Sequence, residues 1–174
     1  EIKFGAQPDL ESRVAPNKFQ WWGGVMLKNY LQTFSSQFLF INGDLNARHA
    51  VQGAGEFYKI EGLFILLGLV FLLTRPLDRK LRIFLLLWLI LAPIPAAMTR
   101  DGGSHATRLF FLLPVLVFLT AYGIYGLVGV LKNQRKLVSL GIVGLYFVSF
   151  LWYQHQYWVH YPWHSQKWWH AGFK

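Results

Sequence analysis

Four apolar runs separated by short basic loops constrain this chain more than any other feature. The runs cover about Tyr58–Leu73, Leu81–Met98, Leu109–Leu131 and Leu137–Trp152. The longest approach the roughly 20 residues that a helix needs to cross a bilayer. The first and last fall short of that length and need interfacial residues to complete them. Arg75, Arg79, Lys80 and Arg82 cluster around the first connection against Asp78, and Lys132, Arg135 and Lys136 fill the third with no acid. Short basic loops between apolar runs mark the cytoplasmic face. Alternation then puts residues 1–57, 99–108 and 153–174 together on the opposite face. Helices preceding the chain would be able to override these loops and invert the arrangement.

Composition agrees. The chain is 54% hydrophobic and only 14% charged, where a soluble domain carries about 25% charged residues. The net charge of +9 raises nucleic acid as a partner, but its distribution argues against it. Residues 1–61 balance Lys3, Arg13, Lys18, Lys28, Arg48 and Lys59 against Glu1, Asp9, Glu11, Asp44, Glu56 and Glu61. The excess sits mainly in the two loops, with no basic stripe interleaved with aromatics. The chain has no cysteine, which removes disulfides, thiolate nucleophiles and cysteine-based metal sites. It starts at Glu1 and stops shortly after Trp168-Trp169, so it is read as a piece cut at both ends.

The expected fold is all-α: a multi-pass transmembrane bundle of about four helices, with an amphipathic interfacial helix in the outer loop. The domains expected are 1–57, an extracytoplasmic loop with that helix; 58–152, the membrane helices; and 153–174, an extracytoplasmic tail. Within residues 18–40, Trp21, Trp22, Met26, Tyr30, Leu31 and Phe34 can share one helical face. Aromatic faces of this kind suit the headgroup layer, and an ordinary buried helix is the equal alternative. Pro93 and Pro95 are expected to bend or break the outer end of the second span.

Three polar stretches are candidates for chemistry. The loop 99–108 offers Arg100, Asp101, Gly102, Gly103, His105 and Arg108. Guanidinium forks match phosphate oxygens, and a Gly pair lets backbone amides approach an anion. A solvated turn with its arginines among lipid headgroups explains the same residues. The stretch 42–49 is turn-forming, and Arg48 and His49 lift it towards an anion site. Asp44 and Asp101 become partners only if the two loops meet. The tail carries His155, His160, His164 and His170 among tryptophans. Its spacing fits no usual zinc pattern, and an aromatic belt accounts for the rings. No metal ligand set is expected, no cofactor is called for, and a divalent metal is allowed without being indicated.

These stretches resemble bacterial membrane glycosyltransferases of the GT-C superfamily, related to dolichyl-phosphate-mannose protein mannosyltransferases and lipid A aminoarabinose transferases. The resemblance rests on Gly43-Asp44-Leu45-Asn46-Ala47-Arg48-His49 after a Phe-rich helix, on the Pro-rich span end with the Asp101, Gly102, Gly103, His105 and Arg108 loop, and on the His160-Tyr161-Pro162 ending. It covers most of residues 30–174 and corresponds to the C-terminal part of the membrane domain.

What the resemblance implies is transfer of a sugar from a polyprenyl-phosphate donor to an acceptor on the extracytoplasmic face of the cell membrane. The catalytic acid would lie upstream of this chain, which alone is expected to be inactive. Arg48, His49, Arg100, Asp101, His105 and Arg108 would hold the lipid phosphate or shape the acceptor cleft. The expected partners are that donor and membrane lipids, with no nucleic acid. A non-enzymatic transporter or assembly subunit binding a lipid or anion is the alternative, although mid-membrane charges typical of transporters are missing. A purely structural membrane module is a third.

Overall fold

A computed structural model describes residues 18–99 and 102–168. All regular structure among these residues is helical. The elements are α1 (Lys18–Thr33), a π-helical turn (Gln37–Asn42), α2 (Lys59–Thr74), α3 (Arg79–Leu91), the short α4 (Ile94–Ala97), α5 (Leu113–Val130), α6 (Arg135–His155) and α7 (Tyr161–Ser165). Short 3₁₀ turns lie at Gly102–Ser104, Phe110–Leu112, Lys132–Gln134 and Gln166–Trp168, and a second π-helical turn at Gln156–His160 joins α6 to α7. Three helical stretches are long and apolar enough to cross a membrane: Arg79–Ala97, Phe110–Val130 and Lys132–Ser165. Helix α2 has 16 residues, about 24 Å at 1.5 Å per residue, short of the hydrocarbon layer.

Helices α2 and α5 form the centre and run in the same direction. Their backbones touch, because glycine sits at each crossing point. A Cβ on Gly68 would lie 2.0 Å from the Leu119 carbonyl oxygen, and one on Gly123 would lie 2.0 Å from that of Phe64. Small residues at such crossings are how membrane helices gain packing where the hydrophobic effect gives little between them. Farther along, the Phe71 ring occupies the space beside Gly126. Around this pair lie Phe38, Leu39, Phe57, Leu72, Leu85, Leu109, Leu112, Val115, Leu116 and Leu119, all buried.

Helix α3 starts at Asp78, whose Oδ1 accepts the Leu81 amide at 2.9 Å. It stops at Leu91, ahead of Pro93, and α4 restarts at Ile94. A proline ring removes an amide and crowds the preceding turn, so the expected break of the second span is present. Trp88 Nε1 donates to the Phe111 carbonyl at 2.8 Å and ties α3 to the start of α5.

Helix α1 buries a polar edge. Trp22, Leu27, Leu31 and Phe34 are exposed, while Asn29 and Thr33 are buried. Asn29 Nδ2 donates to the carbonyls of Ala97 (3.2 Å) and Thr99 (2.8 Å), and Tyr30 donates its hydroxyl to the Ile90 carbonyl at 3.0 Å. Of the aromatic face expected to define the helix, Trp22, Leu31 and Phe34 point outward and Trp21, Met26 and Tyr30 are half-buried, while the bonds from Asn29 to the end of α4 turn the polar edge inward.

The final span also differs from its expected limits. It does not close at Trp152: α6 continues to His155 and through the π-helical turn into α7. None of its residues from Arg135 to His155 is buried. Tyr146 is its main anchor, donating to Glu61 Oε1 at 3.2 Å and stacking on Phe64 with ring centroids 6.3 Å apart. The bundle therefore has two chemically distinct ends. Arg75 from the first basic connection donates to the Gly126 carbonyl near the end of α5 (3.2 Å). At the other end, residues 43–57, 102–108 and the chain after α6 converge.

Candidate functional site

The converging end is organised by the turn that follows the first π-helical segment. Gly43 takes φ 67°, a conformation L side chains rarely adopt, and an added Cβ would meet the Ala54 carbonyl oxygen at 2.8 Å. Gly55 is equally confined, since a Cβ there would lie 2.4 Å from the Phe40 backbone. The Phe57 amide donates to the Leu39 carbonyl at 2.8 Å and closes the loop. Inside it, Asp44 Oδ1 accepts the Asn46 amide (2.8 Å) and Asn46 Oδ1 accepts the Arg48 amide (3.0 Å). Each side chain bonds the backbone two residues on, the local habit of Asp and Asn. The Asp-x-Asn-x-Arg-His pattern is thus a pair of overlapping turns that fixes where Asp44, Arg48 and His49 stand.

The loops 43–57 and 102–108 meet at Asp44, whose side chain is 4% exposed. Its Oδ2 accepts the Ala106 amide at 2.9 Å and lies 3.2 Å from His49 Nδ1 and 3.6 Å from His105 Nδ1. The two imidazole centroids are 5.2 Å apart. Thr107 Oγ1 lies 3.1 Å from His105 Nδ1. Asp44, His49 and His105 can together coordinate a divalent metal, because one donor atom from each lies within 4.8 Å of the others.

Beside this cluster opens a cavity of about 430 Å³, lined in part by Arg48, His49, Glu56, Glu61 and four tyrosines, Tyr58, Tyr153, Tyr157 and Tyr161. The last three follow at intervals of four residues. Their rings stack in sequence, 6.3 Å and 5.4 Å between centroids. A second, mainly apolar cavity of about 300 Å³ runs from Phe38 and Leu39 past Leu109 and Phe110 to Leu116. His49, Glu56 and Phe57 line both. Glu56 keeps an exposed edge, but its Oε1 turns in to accept the Asp44 amide at 3.0 Å. Lost hydration raises its pKa above the usual carboxylate value. The amide bond from Asp44 opposes that rise, the Asp44 charge adds to it, and His49 acts against it.

Of the residues expected from the sequence, Arg48 and His49 line the polar cavity, and His105 joins His49 on Asp44. Arg48 Nε donates to the Trp168 carbonyl, so the tail is part of this end. Arg108 does not line the cavity; its Nη1 donates to Thr99 Oγ1 at 2.7 Å. Arg100 and Asp101 lie outside the described residues. The Gly102-Gly103 pair is packed rather than open: a Cβ on Gly102 would lie 1.6 Å from the Ala96 carbonyl oxygen and one on Gly103 2.6 Å from that of Asn29. These glycines serve close approach of α1 and α4.

Sequence reasoning placed Asp44 in a turn and gave it a partner only if the two loops met, and it passed over Glu56 and the tyrosines as site residues. The i, i+4, i+8 spacing of Tyr153, Tyr157 and Tyr161 was the available signal for the last. Of the tail histidines, His155 and His160 meet edge to face at 5.2 Å, but among the described residues the one cluster with three metal-binding donors is that on Asp44. No protein-family model, curated protein or solved structure matches the chain.

Proposed function

We propose that this chain is the donor-binding part of a membrane glycosyltransferase that moves a sugar from a polyprenyl phosphate to an acceptor on the extracytoplasmic face. The observation that carries the reading is the junction of two unlike cavities at His49, Glu56 and Phe57. A polyprenyl-phosphate sugar has the same division: an isoprenoid chain, a phosphate and a polyhydroxylated ring. The apolar cavity suits the chain. Arg48 supplies a planar cation for the phosphate at the polar mouth, and stabilising the departing phosphate lowers the barrier to transfer. Stacked tyrosines and the carboxylates of Glu56 and Glu61 suit the hydroxyls and faces of a sugar. In this reading α1 lies at the outer membrane interface with Trp22, Leu27 and Leu31 in the headgroup layer, α2 completes a fourth span, and the basic connections face the cytoplasm.

The test is sugar transfer from a panel of polyprenyl-phosphate sugars by the complete protein in membranes, with this 174-residue chain as control. Transfer by the complete protein, with donor binding but no turnover by the chain, is the expected result. Donor binding without turnover by the complete protein would favour a non-enzymatic lipid-binding subunit. Neither binding nor turnover by a folded protein would remove the reading.

A further inference from the structure

We propose that Asp44, His49 and His105 form a binding site for a divalent transition metal of the zinc class, which clasps the loop 43–57 to the segment 102–108. The inference does not depend on glycosyl transfer. Its first support is spacing. Ligands 2.0–2.1 Å from a tetrahedral zinc stand about 3.3 Å from one another, and Asp44 Oδ2 stands 3.2 and 3.6 Å from the two Nδ1 atoms. The second is that the carboxylate is already fixed. Oδ1 accepts the Asn46 amide and Oδ2 the Ala106 amide, the kind of outer support that orients ligating carboxylates.

The third support concerns His105. Its Nδ1 is too far from Asp44 for a hydrogen bond at 3.6 Å. The hydrogen bond it does make is with the Thr107 hydroxyl at 3.1 Å. When Thr107 donates, His105 is the tautomer protonated at Nε2, whose Nδ1 lone pair can ligate a metal once the hydroxyl turns away. A hydrogen bond from His49 to Asp44 accounts for one histidine without metal; His105 bonds the Thr107 hydroxyl instead and stands 3.6 Å from the same carboxylate. One carboxylate and two imidazoles form a mixed oxygen and nitrogen set. That set suits zinc or its neighbours rather than calcium or magnesium, which take oxygen ligands. The Asp44 side chain is 4% exposed but those of His49 and His105 are 29% and 21%, which leaves an open side for a water or an anionic oxygen as fourth ligand.

The experiment uses the purified protein in detergent, stripped with a chelator and titrated with Zn²⁺ against a chromophoric competitor, then with Co²⁺ while its visible absorption is recorded. One tight equivalent per chain and an intense four-coordinate cobalt spectrum are expected. Asp44→Asn, His49→Ala and His105→Ala should each weaken binding at least about 100-fold, because each removes a first ligand where lost outer support alone costs 10–100-fold. Thr107→Val frees His105 Nδ1 of its competing hydroxyl and should bind at least as tightly as wild type. It also keeps the test readable if a ligand variant fails to fold. The double variant His155→Ala/His160→Ala should keep the tight site. Absence of a tight equivalent in folded wild type and Thr107→Val, or a tight equivalent that survives loss of His49 and His105 but disappears with His155 and His160, would overturn the proposal.

Discussion

Replacing Gly123 by alanine tests the contact on which the bundle depends. The new Cβ would fall 2.0 Å from the Phe64 carbonyl oxygen, where ordinary contact begins at 3.4 Å. Both atoms are carried by helical backbone, so relief requires α2 and α5 to separate or tilt by about 1 Å. A gap of 0.5–1 Å forfeits a quarter to a half of each dispersion contact, and a buried leucine makes 40–60 contacts of about 0.1–0.2 kcal/mol. Applied to the buried neighbours Phe64 and Leu119, this comes to a gross loss of a few kcal/mol. Rotamer shifts recover part, which leaves a net cost of about 2–3 kcal/mol, within the range for overpacked interiors. Gly144→Ala is the control. Nothing lies within 4 Å of the Cβ it adds, and alanine improves helix propensity by up to about 1 kcal/mol. Reversible unfolding in mixed micelles would compare both variants with wild type. Equal stability of the Gly123 and Gly144 variants would refute the glycine-mediated crossing.

Three further outcomes follow from contacts at the edges of this core. Asn29→Ala removes the two bonds to the Ala97 and Thr99 carbonyls and should destabilise by about 1–3 kcal/mol; faster hydrogen exchange across α1 is the readout, and unchanged exchange would mean α1 docks by other means. Tyr146→Phe removes the bond to Glu61 while keeping the stack on Phe64. It should cost about 1 kcal/mol and raise exchange in α6 more than in α5. Arg48→Ala should weaken binding of a polyprenyl phosphate about tenfold or more, as loss of a charge-assisted contact does, whereas Arg108→Ala, directed at Thr99, should have a smaller effect. The reverse ranking, measured by lipid competition, would relocate the phosphate site.

The helical class and the positions of the apolar runs were legible because both follow from local pattern. Hydrophobic length marks a span, and Pro93 ends α3 through its own ring geometry. The orientation of α1 was not legible. Its aromatic pattern is the same whether the rings meet lipid or a core, and the deciding partners of Asn29 lie at Ala97 and Thr99. Gly102 and Gly103 were ambiguous for the same reason: close approach to a ligand and close approach to another helix require the same missing Cβ. Arg48, His49 and His105 could be named because their side chains carry obvious chemistry. Asp44 looked like a turn residue, which it is. Its second role depends on a contact with Ala106, 62 positions away, and local pattern contains no trace of such a meeting.

The polar face of α1 also sets an order of assembly. The carbonyls that hold Asn29 belong to residues 68 and 70 positions later in the chain. Until Ala97 and Thr99 have been synthesised and the segment after α4 has folded back, the Asn29 amide has to remain with water or headgroups. Helix α1 leaves the ribosome before α3 and α4 and can make these two bonds only once both have followed it.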